Sequence, residues 1–131
     1  MSEHVIDSSH PYHPEKLEKK SHVGAAAYFE LDLRSGIILN VEEFPEMRKP
    51  SYKIEVDFGP VIGKLWSSAQ ITNYSHEELL GRIVVGALNL GDKTLPTGFV
   101  SQFLVLGALD PDGTVRLLEL PKEAMIGSMV A

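Results

Sequence analysis

Residues 67–81 constrain the fold most, because they place one well-delimited helix inside a chain of strand-like segments. Ser75 occupies a helix N-cap position and Glu78 follows three residues later, which is the spacing of a capping box. Gly81 is placed to end the helix, since glycine readily adopts the left-handed backbone that follows many helices. The small polar residues that precede Ser75 run on from a strand, and they predict a candidate binding surface.

Two segments alternate apolar and polar residues with the period of a half-buried strand. The more regular covers residues 52–58. The other covers residues 31–41, where Ser35 alone interrupts the apolar positions and Gly36 predicts a bulge or a bend. In this second strand we expect the buried face to carry Leu31, Leu33, Ile37, Leu39 and Val41.

The remaining strands and the single helix together predict a small antiparallel barrel. A helix between the third and fourth strands is where the five-stranded OB barrel carries its helix. We therefore predict an all-β fold with one short helix, namely an OB-fold barrel of five strands with an extra C-terminal strand. The further strands are predicted over residues 61–68, 82–90, 99–109 and 114–120, the last after a turn over residues 110–113.

The first 24 residues differ in character from the rest of the chain. They hold four of the five histidines, at spacings that match no metal-ligand pattern, so no metal site is predicted. Pro14 is suited to the first position of a short helix in this segment. We predict a flexible N-terminal tail over residues 1–24 and an OB-fold domain over residues 25–131.

Composition limits the possible partners and compartments. The net charge of −6 argues against non-specific binding of nucleic acid, which needs clustered Lys and Arg, although a local basic groove stays possible. The chain has no cysteine, no apolar run of about 18 residues and no apolar core of a secretory signal at its N-terminus. These features predict a cytoplasmic protein without membrane insertion.

No set of residues predicts an active site. Glu42 and Glu43 are adjacent, as are Glu77 and Glu78, and neighbouring carboxylates on a strand or helix do not converge on one point. His76 lies beside the helix N-cap, and neither a Ser-His-Asp arrangement nor a metalloprotease motif is present. We predict a binding protein that is not an enzyme, with no cofactor and no small-molecule substrate.

Several short segments, in the same order, resemble one family of proteins. The family comprises the tRNA-binding domains appended to methionyl-tRNA synthetases and their free-standing relatives, including the CsaA proteins. The resemblance extends from about Phe29 to the C-terminus. Its segments are residues 32–36 (DLRSG), 42–50 (EEFPEMRKP), 57–59 (DFG), 67–72 (SSAQIT), 89–90 (NL) and 101–102 (SQ).

The resemblance implies a homodimeric OB fold without catalysis. CsaA proteins are described as chaperones for unfolded or exported polypeptides, which would place this chain in protein secretion, and their relatives bind tRNA by its shape. Two departures weaken a phosphate-binding face: the loop over residues 91–97 has a single basic residue, and Ile37 stands where the tRNA-binding relatives often have Lys.

Two functions from different classes follow. The first is a CsaA-like chaperone that binds unfolded or exported polypeptides, and the alternative is a structure-specific tRNA-binding protein with no chaperone role. The candidate ligand-binding residues for either function are Arg34, Arg48, Lys49, Ser67, Ser68, Gln70, Asn89, Lys93, Ser101 and Gln102.

Each group of candidates also has a purely structural interpretation. Ser68 and Thr72 can hydrogen-bond their own loop, and Ser101 with Gln102 can be ordinary strand-edge polarity. Aromatic residues at alternating strand positions are more often core than stacking surface. Trp66 and Phe99 lie at less regular positions, so they are the aromatic candidates for stacking on a base.

Surplus apolar surface predicts the dimer on physical grounds. The fourth and fifth predicted strands are apolar on both faces, whereas a small barrel buries one face of each strand. Together with the apolar residues of segment 125–130, this surface predicts a subunit interface.

Overall fold

The computed structural model describes residues 12–131, which hold a 3₁₀ turn at Pro14–Lys16, three short α-helices and ten β-strands. The helices are α1 (Ala25–Phe29), α2 (Gly59–Ile62) and α3 (His76–Leu79). The strands are β1 (Leu33–Glu43), β2 (Tyr52–Asp57), β3 (Lys64–Ala69), β4 (Ile83–Ala87), β5 (Lys93–Thr94), β6 (Val100–Ser101), β7 (Leu104–Val105), β8 (Gly107–Leu109), β9 (Val115–Leu117) and β10 (Glu119–Leu120).

The main sheet is antiparallel, with the strand order β10-β4-β1-β2-β3 and with β7 also paired to β4. Two hydrogen bonds join β3 to the segment after β6. The backbone N–H of Gln102 donates to the carbonyl of Trp66 at 2.8 Å, and the Ser67 hydroxyl donates to the carbonyl of Phe103 at 2.7 Å. The sheet thereby becomes a nearly closed five-stranded barrel, as the sequence predicts.

β2 is the strand that follows its predicted pattern throughout. Tyr52, Ile54 and Val56 are buried, and the polar residues between them are only partly covered. Its neighbours β1 and β3 pair with it along most of its length. The period-2 alternation therefore identified both the strand and its inward face correctly.

β1 departs from the predicted alternation in two ways. The core residue is Ile38, which is 1% exposed, whereas Ile37 and Leu39 are only partly buried. The bulge lies at Leu39, where the pairing with β2 shifts register, and Gly36 is regularly paired with Val84. The extra residue of a bulge reverses the phase of a strand, so strict alternation across it assigned the wrong face.

Gly36 has a packing role instead. A side-chain carbon at Gly36 would lie 2.7 Å from the ring of Phe58, and one at Gly86 would lie 2.6 Å from the same ring. Phe58 is fully buried and also packs edge-to-face with Phe103, with ring centroids 4.9 Å apart. The two glycines on β1 and β4 thus make room for the largest fully buried side chain of the barrel.

The capped helix forms as predicted. The Ser75 hydroxyl accepts from the Glu78 N–H at 3.1 Å, and the Ser75 N–H donates to the Glu78 carboxylate at 2.9 Å. Hydrogen bonds from Ser75 to the Glu78 carboxylate hold the pKa of Glu78 below its ordinary value. Gly81 adopts a φ of 81°, which completes the predicted helix end.

The expectation of a single helix is wrong, because α1 and α2 are also present. Residues 61–62 were predicted to begin the third strand, yet they complete α2, and β3 begins at Lys64. Pro60 lies in the first turn of α2, where its fixed φ and missing N–H suit a helix. Helices of four or five residues are too short to show a helical period, so their sequences did not reveal them.

The predicted fifth strand is broken into β6, β7 and β8. β6 pairs with β5, β7 pairs with β4, and β8 pairs with β9, so each piece has a different partner. Because residues 99–109 are almost all apolar, the sequence does not show where the strand partner changes.

The turn after β8 forms as predicted, with Gly113 N–H donating to the Asp110 carbonyl at 2.8 Å. The last predicted strand likewise divides into β9 and β10, and β10 adds the extra C-terminal strand beside β4.

One part of the physical argument for a dimer is also wrong. β4 is buried along its whole length, and its outer face, with Val85 and Ala87, is covered by Leu106, Leu120 and Val130 of the same chain. Apolar surface does stay exposed at Leu104 of the predicted fifth strand and at Met125 and Met129 of segment 125–130. Other exposed apolar side chains include Val23, Phe29, Val61 and Leu118.

The predicted flexible tail lies partly outside the described residues, since it includes residues 1–11. Within the described part, the predicted helix at Pro14 is one 3₁₀ turn with Pro14 in its first position. No helix within residues 12–131 is long and apolar enough to cross a membrane.

Gly86→Ala tests the packing of Phe58. The added methyl group must displace the Phe58 ring, so we expect the free energy of unfolding to fall by about 1–3 kcal/mol. Urea unfolding of the variant measures this change. In a Phe58→Leu background the same substitution should cost much less, and an equal cost in both backgrounds would contradict the role given to the ring.

Candidate functional site

The outward face of β1, β2 and β3 carries polar and aromatic side chains side by side. Glu42 on β1 is paired in register with Lys53 on β2, and Lys53 is paired with Ser68 on β3. Trp66 is the next outward residue on β3, opposite Glu55. In OB folds this strand face, with the adjoining loops, is the surface that binds oligonucleotides and oligosaccharides.

A pocket of about 410 Å³ opens on this face. The three strands contribute one residue each, and the segment around β6 closes the remaining side. We call this the Trp66 pocket, and its lining residues are Glu42, Lys53, Trp66, Phe99, Val100 and Gln102.

Lys53 is held in the pocket by aromatic rings. Its ammonium nitrogen lies 4.7 Å from the ring centroid of Phe44 and 5.3 Å from that of Phe99. The two rings pack edge-to-face with centroids 5.3 Å apart. Cation–π attraction thus fixes the ammonium group near the pocket without neutralising its charge.

Gln102 is locked onto Trp66 by two hydrogen bonds. Its backbone N–H donates to the Trp66 carbonyl at 2.8 Å, and its side-chain oxygen accepts from the backbone N–H of Trp66 at 3.0 Å. These bonds occupy the amide oxygen of the side chain. The Gln102 NH₂ group therefore remains as a donor at the pocket.

Three predicted site serines form a structural hydrogen-bond chain behind the pocket. The Ser68 N–H donates to the Ser101 hydroxyl at 3.2 Å, and the Ser101 and Ser67 hydroxyls lie 3.0 Å apart. Ser67, which is buried, donates onward to the carbonyl of Phe103. Ser67 and Ser101 thus hold β3 against β6, a contact between distant segments that neither interpretation from the sequence included.

Arg34 and Asn89 lie together, but in a different place. Arg34 pairs with Asp32 at 2.8 Å, and the Asn89 side chain accepts from the Asp32 N–H at 2.8 Å and donates to the Glu30 carbonyl at 2.7 Å. These bonds tie the end of α1 and the start of β1 to the end of β4. No lining residue of the Trp66 pocket takes part in them.

The remaining predicted residues lie on β5, after β3 and in the loop between β1 and β2. Lys93 on β5 is paired in register with Ser101 on β6, so it lies beside the serine chain. Gln70 follows β3 and is half-buried. Lys49 lies in the loop between β1 and β2, where its carbonyl accepts from Ser51. Arg48, in the same loop, lines a second pocket of about 380 Å³.

The second pocket is bordered by a group of interacting side chains. His76 lies 3.0 Å from the Glu43 carboxylate and packs edge-to-face on Tyr52, with centroids 4.9 Å apart. Burial raises the pKa of Tyr52, and the nearby Glu43 and Glu78 carboxylates raise it further. Tyr52 therefore stays a neutral phenol, which donates to the Tyr74 carbonyl at 2.9 Å.

Glu42 and Lys53 line the pocket but are not among the predicted ligand-binding residues. Lys53 is the first outward residue of the most regular strand, and this position could have identified it. Glu42 occupies the outward position opposite Lys53, but β1 changes phase at its bulge, so its direction was not evident. Trp66 and Phe99, the two aromatic candidates, do lie together in the pocket.

The pocket carries mixed charge and has no metal-binding character. Glu42 contributes a carboxylate and Lys53 an ammonium group, so the face is neither a basic patch nor an acidic one. Within residues 12–131, no group of three or more His, Asp or Glu side chains could hold a metal ion.

Comparison with protein families is decisive for classification. The family model described as "Putative tRNA binding domain" matches residues 33–129, which is most of the chain. The chain belongs to this tRNA-binding domain family. The resemblance noted from the short sequence segments is therefore confirmed.

Curated relatives with this domain include two archaeal methionine–tRNA ligases. The chain is 36% identical to the Thermococcus onnurineus enzyme over 121 residues and 36% identical to a Methanococcus maripaludis enzyme over 113 residues. The matches cover 88% and 86% of this chain but only 16% of each ligase. The similarity thus concerns the tRNA-binding domain of these enzymes and not their catalytic parts.

Solved structures show the same fold over whole proteins. The CsaA chaperone proteins of Picrophilus torridus and Bacillus anthracis each superpose with a TM-score of 0.78 at 38% identity. The superpositions cover 84% and 85% of this chain and all of each CsaA chain. A methionyl-tRNA synthetase-related protein from Pyrococcus horikoshii gives a TM-score of 0.75 at 25% identity, over 86% of this chain and all of that one.

Ser67→Ala tests whether the serine chain is structural. It removes the donor to the buried Phe103 carbonyl, so we expect stability to fall by about 1–3 kcal/mol. Ser68→Ala is the matched control, because within the described chain the Ser68 hydroxyl makes no hydrogen bond, and its change should stay within about 0.5 kcal/mol. Equal unfolding midpoints for the two variants in urea would contradict this role.

Proposed function

We propose that the protein binds tRNA, without catalysing a reaction, through the Trp66 pocket and the surface around it. The observation that carries the proposal is the placement of Trp66 and Lys53 on the outward face of β2 and β3, with Phe99 beside them in the same pocket. Membership of the tRNA-binding domain family supports the same ligand. The predicted site residues Ser67, Ser101 and Gln102 then shape the site by holding its walls together.

Stacking is the main source of affinity in this proposal. Unpaired bases of RNA stack on aromatic side chains, and each such contact contributes about 1–3 kcal/mol. The backbone of Trp66 is held by two hydrogen bonds to Gln102, and the Phe99 ring packs against Phe44 and Lys53. Because the Phe99 ring is already packed, little of its side-chain entropy is lost when a base binds.

Phosphate contacts contribute a smaller, salt-dependent part. Lys53 and Lys93 lie on the same side of the barrel, and Arg48 borders the neighbouring pocket. The acidic residues on the outward face and the net charge of −6 oppose a strong phosphate field. Affinity for tRNA should therefore fall with salt, with a slope that corresponds to only a few phosphates.

A homodimer would present two such pockets to one tRNA. The exposed apolar residues suited to an interface include Phe29, Met125 and Met129, which are 64%, 78% and 74% exposed. Two linked sites bind an extended ligand far more tightly than one, provided that the ligand spans both. We place this dimer in the cytoplasm, where tRNA is found.

A chaperone for unfolded or exported polypeptides is the second candidate function. The same exposed apolar side chains favour it, as do the two CsaA chaperone proteins that share the fold at 38% identity. Methionine is well suited to varied apolar partners, because its side chain is flexible and polarizable. This function would use apolar surface outside the Trp66 pocket.

Trp66→Ala tests the proposed tRNA binding. Loss of stacking should weaken binding of unfractionated tRNA by about 1–3 kcal/mol in low-salt buffer, measured by fluorescence anisotropy. Trp66→Phe retains an aromatic face and should bind nearly as well as the wild type. If wild type and Trp66→Ala bind tRNA equally, or if neither binds at low salt, the proposed site is wrong.

A Met125→Lys, Met129→Lys double variant tests the second function. Wild-type protein in excess should suppress light scattering from a chemically denatured client enzyme, and the double variant should lose this effect because charged groups interrupt the apolar surface. Trp66→Ala is the control and should still suppress aggregation. Unchanged client aggregation with excess wild-type protein would exclude the chaperone function.

A further inference from the structure

The Trp66 pocket combines an aromatic wall with a fixed set of hydrogen-bonding groups. We propose that it is a guanine subsite, which selects an unpaired guanine within the bound RNA. This inference rests on the proposed RNA-binding function and adds base selectivity to it. Its basis is the juxtaposition of the Glu42 carboxylate, the Gln102 amide and the Trp66 ring in one pocket.

Glu42 supplies the first part of the selectivity. An ionised carboxylate is an acceptor only, and its two oxygens are best satisfied by two adjacent N–H donors. Among residues 12–131, no hydrogen bond or ion pair engages this carboxylate, since Lys53 opposite it lies over the rings of Phe44 and Phe99. The carboxylate is thus available to a ligand.

Guanine is the base whose Watson–Crick edge matches a carboxylate. Its N1–H and N2 amino groups are adjacent donors. Adenine and cytosine each present one amino group beside a ring nitrogen acceptor, and uracil presents one N–H between two carbonyls. A carboxylate can accept two hydrogen bonds from guanine, whereas every other base places an acceptor against it.

Gln102 supplies the second part. Its side-chain oxygen already accepts from the backbone N–H of Trp66 at 3.0 Å, so the amide cannot turn without losing that bond. The NH₂ group is therefore a fixed donor, suited to the O6 carbonyl of guanine. The pocket thus offers a donor for O6 and a carboxylate for N1–H and N2, which are the partners that the edge of guanine requires.

Two other ligands that could use a carboxylate and an aromatic ring fit less well. A phosphate group is repelled by Glu42. An arginine side chain of a polypeptide could pair with Glu42 and stack on Trp66, but it would face the donor of Gln102 and the ammonium group of Lys53. The charges of the pocket therefore favour a neutral base.

RNA heptamers of uridine with one central G, A, C, U or inosine test this inference, with anisotropy measured at low salt. We expect the G heptamer to bind roughly ten- to a hundredfold more tightly than the U heptamer. Inosine lacks the N2 amino group, so it should bind with intermediate affinity. The Glu42→Gln variant should lose most of the G-over-U ratio, and Glu77→Gln, the same change on an exposed helix residue, should keep it.

The possible outcomes distinguish failure of guanine selectivity from failure of the proposed tRNA-binding function. If tRNA binds but the heptamers bind equally or not at all, guanine selectivity is overturned and the tRNA-binding function stands. A G preference that survives Glu42→Gln, or displacement of the G heptamer by an arginine-rich peptide and not by GMP, also overturns it. If neither tRNA nor any heptamer binds, the proposed function itself fails.

Discussion

The hydrogen bonds between β3 and the segment after β6 are the interaction on which both the barrel and the candidate site depend. Without them β3 would be an open edge, since within residues 12–131 its only strand partner is β2. The Gln102 backbone and side chain both bond to Trp66, and Ser67 bonds to the Phe103 carbonyl. The same contacts close the barrel, hold the backbone that carries Trp66, and fix an amide donor on the surface. Gln102 therefore has both a structural and a binding role. Its hydrogen bonds to Trp66 close the barrel, and the same bonds hold its NH₂ group at the pocket.

Inside the barrel, the ring of Phe58 fits because Gly36 and Gly86 have no side chains. Phe58 occupies the space that side chains at Gly36 and Gly86 would fill, and it packs on Phe103. Phe103 follows Gln102 directly, so the interior packing is coupled to the wall of the Trp66 pocket. A substitution at Phe58 is thus expected to shift Phe103 and, through the adjoining peptide, the position of Gln102 in the pocket. Arg34 and Asn89 are not part of this coupling, because they lie at the junction of α1 with β1.

The fold could be predicted from the sequence where the pattern was local. The alternation of β2 and the capping box at Ser75 and Glu78 identified those elements correctly. The bulge at Leu39 and the changes of partner between β6, β7 and β8 depend on contacts distant in sequence, so no local pattern revealed them. The candidate site was likewise predictable only in its local features. Ser67, Ser101 and Gln102 were all predicted as ligand-binding residues, but the hydrogen bonds that join them, and the pairing of Glu42 with Lys53, required the three-dimensional register.

Trp66 is the only tryptophan of the chain, so its fluorescence reports directly on the central claim that RNA stacks in this pocket. The measurement is a titration of the wild-type protein with tRNA at low salt, with tryptophan emission and its quenching by acrylamide followed together. The account predicts saturable quenching by tRNA and protection of Trp66 from acrylamide, with half-saturation moving to higher tRNA concentration as salt is added. If anisotropy shows that tRNA binds while Trp66 emission and its access to acrylamide stay unchanged, RNA binds elsewhere on the protein and the account is contradicted.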